Sequence, residues 1–202
     1  MKIKKAVIFS CLLGTIVWLA PGCQSLGKRG EPGYADYYEK GMLAYGKDNR
    51  KAARENFQAA LRKNPRSALA HFYLAVLYAE EEKFNMAIIG FTRVLQLEPN
   101  FPEAYYNLGT LYLGTGDTME SIRMLEQAVF LNPDDAAAFV NLGKAYFLMG
   151  MAELSGAAFE EALRRDPENA IARKNLQILA RGAGEMEFEK NYRKDIQNSR
   201  GL

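Results

Sequence analysis

Four prolines recur at a fixed interval. Pro65, Pro99, Pro133 and Pro167 stand 34 residues apart, in the contexts KNPRSA, LEPNFP, LNPDDA and RDPENA. Proline forces the residue before it out of helical backbone, so each marks a turn or a helix end. A constant period of this length is the mark of an array of like units stacked on one another, and a lone compact fold would have no reason to keep it. Counting back from each proline divides the chain into 34–67, 68–101, 102–135 and 136–169, with no insertion between them. The composition agrees: of 202 residues 49% are hydrophobic and 25% charged, a globular mixture that excludes a wholly disordered chain, a collagen-like fibre and a polytopic membrane protein.

Each unit holds two helical patterns. In the third, Tyr105, Leu108 and Tyr112 form one stripe with Gly109 beside it, a break follows at Gly114 to Asp117, and Ser121, Leu125 and Ala128 form a second stripe. The fourth repeats this with Phe139, Leu142, Gly143 and Tyr146, then Ser155, Phe159 and Ala162; the second has His71, Leu74, Ala75 and Tyr78, then Ala87, Phe91 and Val94. The first starts less regularly, with Tyr37 and Gly41 in frame but Lys40 and Ala44 in place of Leu and an aromatic, and recovers at Ala53, Phe57 and Ala60. With these small and aromatic residues in these places, the chain resembles the tetratricopeptide repeat (TPR) family. The resemblance implies an all-α fold, an α-solenoid of four helix-turn-helix hairpins, in which Gly41, Ala75, Gly109 and Gly143 let paired helices approach and Phe57, Phe91, Leu125 and Phe159 fill the space between hairpins. A glycine inside a helix costs about 1 kcal/mol, so its recurrence implies a larger gain from packing.

An array needs a closed end. Residues 170–181 (AIARKNLQILAR) predict a capping helix, with Leu176 and Leu179 turned to the last hairpin and Arg173, Lys174 and Gln177 to water. From 182 to 202 the chain carries four acids and four bases, and Met186, Phe188, Tyr192 and Ile196 give only a weak helical stripe. A loosely ordered tail is the expectation, and a helix that docks on a partner the alternative.

The N-terminus reads as an export signal over residues 1–22. Lys2, Lys4 and Lys5 precede fifteen mostly apolar residues, Ala6 to Ala20, too short for a usual membrane span and right for a signal-peptide core. Leu19-Ala20-Pro21-Gly22-Cys23 resembles the lipobox of bacterial lipoproteins, with Ala20 where such boxes usually carry Leu; cleavage before Cys23 and acylation of its thiol are implied, with plain secretion and an uncleaved anchor left as alternatives. Cys11 would be discarded with the signal, and a lone remaining Cys23 can form neither an intrachain disulfide nor a thiolate metal site. Residues 23–33 then form the lipidated N-terminus and a flexible tether rich in Gly, Pro, Ser and charge. The three signal lysines also account for the net charge of +2, leaving 23 basic against 24 acidic residues, so no concentrated basic surface points to nucleic acid.

Catalytic patterns are missing. There is no HExxH, G-x-S-x-G, P-loop or Gly-rich dinucleotide turn, and Gly114-Thr115-Gly116 lies between helices with no strand before it. His71 is the one imidazole and falls on a packing stripe; Asp134-Asp135 and Glu160-Glu161 read as helix starts or solvated faces. A non-catalytic binding protein is expected, with no cofactor, metal, nucleic acid or small-molecule substrate.

In TPR arrays the first helix of each hairpin lines the concave side. A second apolar stripe runs along those helices here, through Tyr38, Met42 and Tyr45, Phe72 and Val76, Tyr106 and Leu113, and Val140 and Phe147, with Asn107, Asn141 and Lys144 as its polar groups. The stripe either stiffens neighbouring hairpins or forms a partner-binding groove. The Lys, Arg and Asn clamp of chaperone-docking TPR domains is largely absent, so an apolar or amphipathic segment of a partner protein is the expected ligand. A short TPR array on a lipid tether resembles the outer-membrane pilotin lipoproteins of type IV pilus systems, although many of those carry more repeats. Gln24 after the Cys is not the Asp that often retains lipoproteins in the inner membrane. The resemblance implies a lipid-anchored envelope protein facing the periplasm that helps a secretin subunit assemble. The alternative is a periplasmic adaptor that gathers cell-wall hydrolases or other envelope enzymes.

Overall fold

The computed structural model describes residues 32–181. The signal segment, Cys23, most of the tether and the tail from 182 lie outside them. Among the described residues there are nine helices and no strand: α1 Tyr34–Gly46, α2 Arg50–Lys63, α3 Ala68–Glu80, α4 Phe84–Leu97, α5 Pro102–Thr115, α6 Thr118–Leu131, α7 Ala136–Leu148, α8 Ala152–Arg165 and α9 Ala170–Ala180. The all-α class, the four hairpins and the capping helix are those the sequence predicts.

The prolines end the second helix of every hairpin by the same means. Asn64, Glu98, Asn132 and Asp166, each just before a proline, have φ between −137° and −130° and ψ between 85° and 90°, extended backbone that cannot continue a helix. The next helix then starts on its own cap in three of the four junctions. Ser67, Asp135 and Asn169 accept from the N–H groups of Ala70, of Ala137 and Ala138, and of Ala172, while Pro102 opens α5 where no N–H is needed. Inside each hairpin the turn passes through one left-handed residue, Asp48 (φ 56°), Glu82 (φ 57°), Gly116 (φ 91°) and Gly150 (φ 72°), again one per period.

Close approach of the paired helices is set by residues too small to interfere. A Cβ on Gly41 would lie 2.7 Å from the Phe57 ring, and one on Gly143 would lie 2.8 Å from the Phe159 ring. In the second hairpin the roles are shared: Ala75 occupies the small position on α3, and the facing residue on α4 is Gly90, where a Cβ would lie 2.7 Å from that of Ala75. The third and fourth hairpins add a polar tie, because the buried Ser121 and Ser155 hydroxyls donate to the carbonyls of Gly109 and Gly143 at 2.7 and 2.8 Å. Ala53 and Ala87 hold the same place in the first two hairpins and leave no hydroxyl to satisfy.

Three connected apolar clusters follow the chain. One gathers Ala53, Phe57 and Leu77; the next is built on Phe91, Val94, Leu108 and Met124; the last runs from Leu113 and Leu125 through Phe159 to Ala172 and Ile178 of α9. Each joins residues of adjacent hairpins, so burial is completed by the neighbour.

Candidate protein-binding face

The first helices α1, α3, α5 and α7 carry every groove residue expected from sequence, and burial divides those residues into two groups. Leu113, Val140 and Phe147 are buried in the last cluster, and the groove expectation is corrected for them. Val140 is the one short side chain in the column that carries Tyr38, Phe72 and Tyr106 in the other units, and Leu113 and Phe147 lack the hydroxyl by which Tyr45 of their own column reaches out to Glu80. Tyr38, Met42, Tyr45, Phe72, Val76 and Tyr106 are half-buried at junctions between hairpins.

At the first junction the missing participant is Tyr73. Its ring stacks on Phe57 at 5.5 Å and meets Tyr38 at 6.2 Å, Tyr45 at 5.9 Å and Phe72 at 5.5 Å edge-on or nearly so. Phe72 in turn lies 5.5 Å from Phe91 and 5.1 Å from Phe101. The Tyr45 hydroxyl donates to Glu80 at 3.0 Å, and Arg50 donates to the same carboxylate at 2.9 Å, which ties α1 and α2 to α3. Burial, the neighbouring phenols of Tyr73 and Tyr34 adding to it, raises the Tyr38 phenol; burial and the bond to Glu80 raise that of Tyr45. These aromatics therefore stiffen the junctions, whatever else they touch.

The open part of the face comes from two columns in the repeat register: Glu39, Tyr73, Asn107 and Asn141, and Met42, Val76, Thr110 and Lys144. Over α1 and α3 they are largely apolar, with Leu69 also exposed. Over α5 and α7 they are polar and organised. Asn107 donates to the Glu103 carbonyl at 2.7 Å, Thr110 to the Tyr106 carbonyl at 2.9 Å, and Asn141 to Thr110 across the two helices at 3.0 Å. Burial, with the Asp135 charge adding to it, raises the Tyr106 phenol beneath this group, opposed by hydrogen bonds from Thr110 and Asn141. Glu39, Tyr73 and Thr110 were not among the residues expected, and aligning the four units column by column is the signal that finds them.

Of the titratable residues singled out from sequence, His71, Asp135 and Glu161 have structural partners. His71 is half-buried with Nε2 3.0 Å from the Pro65 carbonyl oxygen, Asp135 caps α7, and Glu161 pairs with Arg164 and Arg165. The two guanidinium groups hold the Glu161 carboxyl below its ordinary value, Arg165 foremost.

The tetratricopeptide repeat family model matches residues 38–103 and 106–170. The chain belongs to the tetratricopeptide repeat family. Among solved structures it is similar to residues 41-end of MamA from Desulfovibrio magneticus RS-1, at 21% identity and a TM-score of 0.70, covering 84% of this chain and 96% of that one. It is similar to YrrB, described as a TPR protein with an unusual peptide-binding site, at 22% identity and a TM-score of 0.64, covering 71% of this chain and 74% of that one. The first TPR of Spaghetti bound to the HSP90 peptide SRMEEVD is similar at 23% identity and a TM-score of 0.56, covering 57% and 91% of the two chains. No curated protein matches. At these identities the likeness establishes the TPR fold, which supports a protein-protein interaction scaffold.

Proposed function

We propose that this TPR protein is a non-catalytic scaffold, lipid-anchored through Cys23 in the bacterial envelope and facing the periplasm, that holds a segment of a client protein along its first helices. The observation that carries the reading is the two-part face. Met42, Leu69, Tyr73 and Val76 offer apolar anchoring over the first two hairpins, while the ordered amides of Asn107 and Asn141 and the Thr110 hydroxyl offer hydrogen bonds to a peptide backbone over the next two. That division suits an amphipathic client segment better than a terminal carboxylate. Within this class a pilotin-like role in placing a secretin subunit is the favoured function, on the short tethered array and on Gln24 in the position after Cys23. An adaptor for cell-wall hydrolases is the alternative.

Affinity capture from solubilised envelopes tests the face. Leu69→Ser with Asn107→Ala and Asn141→Ala removes one apolar anchor and two amides at half-buried or exposed sites, so capture of the client is expected to drop by at least about tenfold, the equivalent of roughly 1.4 kcal/mol, with helicity retained. Undiminished capture by a folded variant would place recognition elsewhere. Palmitate labelling is expected in the parent and absent in Cys23→Ala. Loss of the gene in a piliated host should deplete outer-membrane secretin multimers under the pilotin reading, and leave them normal with altered cell-wall turnover under the adaptor reading.

A further inference from the structure

Charge is distributed along the array far more unevenly than the total suggests. The first unit, 34–67, has eight Lys and Arg against four Asp and Glu, or +4; the second has two against four, the third one against six, and the fourth three against five. The repeats therefore run +4, −2, −5, −2. Helix α2 is the centre of the positive end. Arg50, Lys51, Arg54, Arg62 and Lys63 lie on it, Arg66 follows in the next turn, and Glu55 is its one acid. Two of these cations are engaged inside the fold, Arg50 with Asp48 and Glu80 and Arg54 with Glu81. Lys51, Arg62, Lys63 and Arg66 are exposed, and among the described residues Lys51, Arg62 and Arg66 make no ion pair. Lys51 and Arg62, at i and i+11, share one face of the helix. On a merely solvated helix acids and bases alternate, as in α8 with Glu153, Glu160 and Glu161 beside Arg164 and Arg165.

We propose that this exposed basic face of α2 docks on anionic phospholipid headgroups, so that the first hairpin lies against the membrane and the acidic third unit is held away from it. Charge complementarity selects the surface, and the chain that precedes α1 selects its source. Ten residues, Gln24 to Gly33, with Lys28 and Arg29 among them, separate Cys23 from α1, and ten residues can span no more than about 36 Å, so a lipid on Cys23 keeps the first hairpin near the headgroups. In that respect the inference rests on the anchored reading above. The diacylglycerol of a lipoprotein carries two acyl chains and anchors stably by itself, so what the basic surface adds is the orientation of the first hairpin on the headgroups. A face this basic would also repel a positively charged client, leaving the first-helix face for protein.

The probe is the chain from residue 23 onward with Cys23→Ala, which keeps the whole compact unit beginning at Pro32, and vesicles of phosphatidylethanolamine with phosphatidylglycerol against vesicles of phosphatidylcholine. Sedimentation with the anionic vesicles alone, weakening steeply with salt, is expected. Lys51→Gln with Arg62→Gln and Arg66→Gln, checked for unchanged circular dichroism, should lower the partition coefficient at least about tenfold, since each cation at an anionic surface is worth roughly a factor of five. Lys174→Gln on the remote α9 with Arg181→Gln at its C-terminal cap should leave it unchanged. The proposal is overturned by no binding to anionic vesicles, by equal binding of the triple variant, or by an equal loss in the α9 variant; an absence of vesicle binding combined with capture of an acidic protein that the triple variant loses would assign the face to that protein. Palmitate labelling of the unmutated chain is read separately, so a failed acylation reading and a failed lipid-docking face give different results.

Discussion

Gly109 has no room for a side chain. A Cβ there would lie 2.5 Å from Cγ of Leu125, which is fully buried, and 3.3 Å from its backbone nitrogen. Alanine would gain about 1 kcal/mol of helix propensity, but overpacking a well-filled core typically costs about 1 to 3 kcal/mol. Gly109→Leu is therefore expected to lower stability by at least that amount in urea titration. Glu82 presents the opposite case, an exposed residue without glycine's freedom at a left-handed turn where the third and fourth units carry Gly116 and Gly150. Relief of about 1 to 2 kcal/mol of left-handed cost exceeds the 0.4 to 1 kcal/mol that a more flexible unfolded chain takes back, so Glu82→Gly should stabilise by about 0.5 to 1 kcal/mol. Beside it, hydrogen bonding from Lys83, together with the Arg54 guanidinium, holds the Glu81 carboxyl below its ordinary value. A depressed carboxylate stabilises the fold above its unfolded pKa, and that contribution disappears as pH falls through the folded one. The melting temperature should therefore decline in acid below the usual carboxylate range, and Glu81→Gln should flatten that part of the profile.

Among the elements, α1 and α3 show how position in the array changes the meaning of one residue type. Leu43 and Leu77 stand at the same place in consecutive units, yet Leu43 is 59% exposed and Leu77 fully buried. Leu77 is covered by Phe57 and Ala53 of the hairpin before it; Leu43 belongs to the first hairpin, and among the described residues no helix precedes it. Leu77→Ala is expected to cost about 2 to 5 kcal/mol by leaving a cavity, and Leu43→Ala to change stability by no more than about 0.5 kcal/mol, a contrast that thermal unfolding of the two variants would measure. The regularity of the stripe does not by itself set its exposure: Tyr38, Phe72 and Tyr106 keep one register, and the neighbouring hairpin half-covers each. Phe72→Ser with Tyr106→Ser would therefore damage two junctions before it removed a binding anchor.

Across the whole molecule stability passes from neighbour to neighbour. Ala172 and Ile178 of α9 complete the cluster around Phe159, so Ile178→Asp, by burying an unpaired charge, should raise amide exchange first in α8 and α9 and least in α1 and α2. Equal loss of protection along the array would mean that it unfolds as one unit. The sequence by itself determined the helices, their pairing and the period, because proline at 34-residue intervals breaks the backbone locally and the Gly and Phe columns state which faces must meet. The chemistry of the face was legible in part: Asn107, Asn141 and Lys144 are readable as polar groups on first helices, but that Asn141 reaches Thr110, or that Tyr73 meets Tyr38, Tyr45 and Phe57, depends on residues 16 to 35 positions apart being placed side by side. Only the tertiary structure decided which members of the stripe remain open to a partner. Periodicity fixes the direction in which a side chain leaves its helix, whereas exposure depends on what the next hairpin lays over it, and so Leu113, Val140 and Phe147 became core while Met42 and Val76 stayed at the surface edge.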